Sequence, residues 1–180
     1  MDFKAFVKKQ GVAVWLSLVV IICAVVGVIL YASALGSGMD LSIANGSQPF
    51  YQKGRDEDAV MMATVVPCVI IALVALVASI VLDQFSSKEG MVGKVMGIAA
   101  DVLRMGTPVC LFIAALYFVY GSFTGIGWTF FSNAELEIFP QAIATGKKVI
   151  VGIIFLVVGG LVSVVSSFFA MKKPAVAPAE

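Results

Sequence analysis

The densest run of charge in the chain, Arg55-Asp56-Glu57-Asp58, stands directly before an apolar stretch. Three consecutive carboxylates offer the oxygen ligands that a hard divalent cation takes. Adjacent positions on a helix point in different directions, however, so Asp56, Glu57 and Asp58 would not close on one ion. Acids in a first helical turn are stabilised by the positive end of the helix dipole. The run therefore predicts a helix start and no metal site. Asn45-Gly46-Ser47 fits the acceptor pattern for glycosylation, a weak signal on its own.

Other chemistry is thinly represented. The chain has no histidine, which removes the usual general base near neutral pH and the commonest metal ligand. Cys23, Cys68 and Cys110 are scattered through apolar runs, where free cysteine behaves as a small hydrophobe. No phosphate-cradling loop, CxxC pair, dinucleotide fingerprint or nucleophile elbow is present. The expectation is a protein that is no enzyme, with no cofactor and no metal.

The elements that carry these residues follow from composition. Of 180 residues, 61% are apolar and 13% charged, far too little charge to cover a water-soluble surface. A net charge of +1 gives no field that would attract nucleic acid. The first partner is the lipid bilayer. Four runs are long enough for a hydrocarbon core of about 30 Å, at residues 12–35, 59–82, 105–123 and 149–170. None carries an ionisable group in its middle, whereas proton relays and pumps place such groups at depth. The class predicted is an all-α membrane protein, a four-transmembrane-helix bundle forming one domain over residues 1–173. Residues 174–180 read as a flexible tail.

Eight of the twelve lysines and arginines flank one side of these spans, counted over the N-terminus, the middle loop at 83–104 and the C-terminus. The loops at 36–58 and 124–148 hold the other four. The excess of positive charge predicts both termini in the cytoplasm and residence in the cell membrane. A rival reading makes the first run a cleaved signal peptide ending at Ala32-Ser33-Ala34, but the run is longer than a usual signal core.

Within the middle loop, Val92, Val95, Met96, Ala99, Val102 and Leu103 fall at helical spacing, with Lys94, Asp101 and Arg104 off the stripe. They predict a short cytoplasmic amphipathic helix before the third span, reset by Gly106-Thr107-Pro108. The alternative is one long helix kinked at Pro108.

A pattern recurs 89 residues apart. Tyr31, Ser33, Gly36 and Gly38 end the first span, and Tyr120, Ser122, Gly125 and Gly127 end the third, both as Tyr-x-Ser-x-x-Gly-x-Gly. A tandem duplication of a helical hairpin would produce it, relating the halves by a two-fold axis along the membrane normal; coincidence in a Gly- and Ser-rich background is the alternative. The tyrosines are expected at headgroup level and the glycines at helix exits.

Helices in lipid pack through small residues. Gly159, Ser163 and Ser167 recur every four residues, with Gly152 and Gly160 nearby, and Ala75 and Ser79 share that spacing. Trp128, Phe130, Phe131 and Phe139 crowd the second outer loop, as an aromatic belt or as a surface for a partner. The functional expectation is a structural or accessory subunit. It would form a homo-oligomer or a complex with another membrane protein, through the outer aromatics and the small-residue faces. A channel or small-solute transporter, with its pathway between the repeated halves, is the alternative.

Overall fold

The structure, a computed structural model, describes residues 10–36, 56–86, 90–131, 139–169 and 171. Among these residues the four elements are all helices: α1 (Val12–Gly36), α2 (Asp56–Ser86), α3 (Met91–Phe131) and α4 (Phe139–Ser167). Each contains a stretch long and apolar enough to cross a membrane. Four such helices suit a multi-pass membrane protein.

The buried positions of each helix follow one rule. On α1 they are Ala13, Ser17, Val20, Ala24, Gly27, Tyr31 and Ala34, with Cys23 buried beside Ala24, and on α2 Val65, Val69, Ala72, Leu76 and Ser79. On α4 they include Val149, Gly152, Leu156, Gly159, Ser163 and Ser166, with Gly146 and Gly160 buried beside this seam. Steps of three and four alternate, the heptad register that keeps one seam facing a neighbour along left-handed helix pairs. On α3 the buried set widens to Thr107 with Pro108 and Ala114 with Ala115, because α3 is covered on two sides. It packs against both α2 and α4, while α1 lies chiefly on α4 and touches α2 only lightly. The chain's neighbours in space are thus α2–α3, α3–α4 and α4–α1.

Two expectations about α3 are corrected. The amphipathic segment at 91–103 is no separate helix, and Gly106-Thr107-Pro108 does not reset the chain: α3 runs unbroken for 41 residues, with Pro108 inside it. A break there would strand several backbone groups in hydrocarbon, whereas the proline ring removes a single N–H donor. Thr107 Oγ1 donates to the carbonyl of Leu103 at 3.1 Å in the same turn. Pro67 is likewise accommodated inside α2. At its other end α3 continues past Gly121, Gly125 and Gly127 to Phe131, so these glycines mark no helix exit. Gly36, by contrast, is the last residue of α1.

The turn into α3 is made at Gly90, the one described residue with a left-handed backbone, φ 99°. Its carbonyl accepts the first bond of α3, from the Lys94 N–H at 3.4 Å. Beyond its chain neighbours, no atom of the described residues stands within 4 Å of where a Cβ would be, so the backbone conformation is the constraint. Gly90→Ala should cost about 1–2 kcal/mol from backbone strain alone. Equilibrium unfolding in mild detergent against a denaturing one would measure it, and a neutral result would mean the turn relaxes freely.

Candidate functional site

At one end of the bundle the start of α1, the middle of α3 and the end of α4 meet in a polar clasp. The chain enters and leaves together there, since Gly11 N–H donates to the carbonyl of Met171 at 2.6 Å. Gly11 and Met171 therefore lie at the same end of the bundle. Arg104 reaches from α3 to the terminus of α4, where one guanidinium nitrogen donates to the carbonyls of Ser166 and, at 2.5 Å, Phe169. The last carbonyls of a helix have no partner of their own and carry its negative dipole end, so a cation there satisfies both needs. Asp101 and Asp83 supply negative charge beside Arg104. Ser166 Oγ donates to the carbonyl of Ala13 at 3.3 Å and ties α4 to α1. Three buried polar atoms in this region, Gln10 Oε1, Arg104 Nε and Ser163 Oγ, have no hydrogen-bond partner among the described residues.

The remaining buried hydroxyls are returned to backbone. Ser17 donates to Ala13 at 2.8 Å, Ser79 to Leu76 at 2.7 Å and Ser122 to Phe118 at 2.5 Å, all within their own helices. At the opposite end Lys148 Nζ donates to Ser33 Oγ at 3.3 Å. From Ser166 to Lys148 on α4, and from Ala13 to Ser33 on α1, the rise is about 27–30 Å. That is one hydrocarbon thickness between the two polar levels.

Between these levels the bundle is joined by close approach of small residues. A Cβ added at Gly152 would stand 2.9 Å from Phe118, 3.3 Å from Leu30 Cβ and 3.5 Å from the carbonyl of Gly27. One added at Gly159 would stand 3.1 Å from Cys23 Cβ, and one at Gly160 2.8 Å from the Phe112 ring. These three glycines and the buried Ser163 and Ser79 therefore face neighbours inside the bundle. Ser167 does not: it is only half-buried, and Ser166 occupies the seam. Ala75 is half-buried too, with Ala72 and Leu76 fully inside. A strict four-residue spacing precesses about 40° per step, so a stripe read that way leaves the interface by its third member.

The repeated tyrosine motif falls into two different environments. Tyr31 is 3% exposed and packed edge-on against Phe118, with ring centroids 5.0 Å apart, so its ring faces the bundle. Tyr120 is 70% exposed. Ser33 is half-buried and Ser122 fully buried. Gly38, Asn45-Gly46-Ser47, Arg55 and the tail at 174–180 lie outside the described residues.

Of the four outer aromatics, Trp128, Phe130 and Phe131 belong to the last turn of α3 rather than to a loop, and Phe139 opens α4. Phe131 is 87% exposed and Phe130 is also exposed. Further in, Ile113, Leu116, Tyr117 and Tyr120 line an apolar groove of about 310 Å³ on the outer face of α3. Comparison with protein-family models, with curated proteins and with solved structures gave no match in any of the three.

Proposed function

We propose that this chain is a non-catalytic tetraspan subunit of the cell membrane, assembling with itself or with another membrane protein. The observation that carries this reading is how the bundle uses its residues. Gly27, Gly152, Gly159 and Gly160 are spent on internal packing, and the buried hydroxyls of Ser17, Ser79, Thr107 and Ser122 bond to their own helices. Little polar surface is left to line an aqueous path between the helices. The small-residue faces expected to mediate assembly are already occupied, so assembly falls to the large apolar faces and to the aromatic end of α3.

With eight of twelve basic residues flanking the clasp side, that side is assigned to the cytoplasm. A duplicated hairpin remains our account of the Tyr-x-Ser-x-x-Gly-x-Gly pair. A two-fold that maps α1 to α3 and α2 to α4 exchanges the α1–α4 and α2–α3 interfaces, the two most extensive in the bundle.

Native mass spectrometry of the protein extracted from its own membranes tests the reading. A multiple of the chain mass supports self-assembly, and a reproducible additional chain supports an accessory role. Ion or solute flux through liposomes holding the pure protein would replace the reading with the transporter alternative. Phe130→Ser with Phe131→Ser should reduce the assembled fraction several-fold if the aromatic end takes part. An unchanged mass distribution would remove that end from the interface.

A further inference from the structure

We infer that the exposed face of α3 docks a second copy of this chain, the two α3 helices lying parallel about a two-fold axis along the membrane normal. This rests on the proposed assembling role and gives it a surface and a partner. The starting point is the level of Arg104, which the Ser166 and Ala13 contacts set at one edge of the hydrocarbon slab. From there α3 runs on for thirteen residues to Met91, about 20 Å. The headgroup layer accounts for only about 5–7 Å of that. Lipid can cover the outer face of α3 within the slab, but not along the rest of this projection.

That projection is apolar where it is most exposed. Met91 is 82% exposed and Ile98 66%, with Val92, Val95 and Val102 comparably open. Met91, Val95, Ile98, Val102, Met105 and Val109 are spaced by four and three in alternation, and all are exposed. This is the heptad register of a helix pair. The opposite side of α3, at Gly93, Ala100 and Arg104, is buried in the bundle. One helix thus carries two seams, one facing its own bundle and one facing out.

Area and charge favour a second copy as the occupant. Met91, Val92, Val95, Ile98 and Val102 together expose on the order of 600 Å², a large patch for a monomer. Two copies face to face would bury on the order of 1,200 Å², the size at which specific interfaces become stable. Two copies inserted alike run parallel, so the residues flanking one seam meet the other flank of its mate. Lys94 and Asp101 lie on one flank, and Val92, Ala99 and Gly106 on the other. Each Lys94 would then lie over Ala99 of the second copy and each Asp101 over Gly106. No like charges are opposed.

Disulfide trapping in native membranes tests this with the full chain. Cys23, Cys68 and Cys110 are first replaced by alanine, and single cysteines are placed at Val95, Met96, Gly97, Ile98 and Val102. After oxidation with copper phenanthroline, chains linked at 95, 98 and 102 should exceed those linked at 96 and 97 at least fivefold. Uniform linking, no linked dimer at any position, or linking at 95 and 98 to a different protein would overturn the proposal; the last would leave the assembling role intact. Ile98→Glu keeps the test independent of trapping. It should shift the native mass to the monomer while helical content is retained, and a persistent dimer mass would also overturn the proposal. Flux through liposomes would count against the assembling role and not against the α3 seam.

Discussion

Arg104→Ala is expected to destabilise the bundle by roughly 2–4 kcal/mol, the loss of two charge-assisted hydrogen bonds at a helix terminus. The side chain is almost fully buried, and its partners are the carbonyls of Phe169 and of Ser166, the latter also accepting the Phe169 N–H at 3.1 Å. Truncation leaves the buried Ser166 carbonyl with the Phe169 N–H as its partner and strips the charge from the α4 terminus, where water reaches Ser166 poorly. Arg104→Lys keeps the charge but shortens the reach and lacks the planar fork, and should recover only part of the difference. Unfolding by denaturing detergent gives the global figure. Hydrogen exchange supplies the local one: amides around residues 163–169 and 11–14 should exchange faster in Arg104→Ala, because α4 loses its terminal anchor and Ser166 its hold on Ala13. A variant within 0.5 kcal/mol of the parent, with exchange unchanged at both segments, would show that the clasp contributes nothing.

The role of Arg104 shows where sequence reading stops. Its charge is legible as a marker of membrane orientation, but its position falls off the apolar stripe of 92–103. The signal that finds it is the other stripe. Ala100, Arg104, Thr107 and Leu111 keep four-three spacing and all are buried, so the arginine sits in the seam facing α4. Its acceptors are 62 and 65 residues away, and no local pattern announces them. The four spans themselves were plain, since only long apolar runs suit hydrocarbon. Their ends were not. Gly125 and Gly127 read as exits by the conventions of water-soluble helices, where glycine weakens a helix by about 1 kcal/mol. Near lipid, an unmade backbone bond costs several times that, and α3 continues through both. Likewise Trp128, Phe130 and Phe131 were recognisable as an unusual cluster, but not as the tip of a helix.

Gly152→Ala carries the second large expectation, and magnitudes set its sign. Helix propensity alone favours alanine over glycine by about 1 kcal/mol. Against this, the new methyl would stand 2.9 Å from Phe118 and 3.3 Å from Leu30 Cβ, with the Gly27 carbonyl closing the third side. Phe118 is fully buried and held edge-on by Tyr31, so its ring cannot swing aside. Leu30 Cβ and the Gly27 carbonyl are fixed to the α1 backbone, which leaves separation of α1 from α4 as the relief. Overpacking of this kind costs about 1–3 kcal/mol, enough to outweigh the propensity gain. Gly160→Ala is the natural control, because the three atoms nearest its methyl all belong to the ring of the half-buried Phe112. That ring can rotate toward lipid, so its net effect should lie within about 0.5 kcal/mol of zero once propensity is included. Phe118→Leu frees the space that Gly152→Ala needs, and the double variant should be more stable than the sum of the singles by about 1 kcal/mol. Strict additivity would mean that the α1–α4 seam yields elsewhere. Positive coupling between Gly152 and Phe118, with none between Gly152 and Phe112, would place the constraint where α1, α3 and α4 meet.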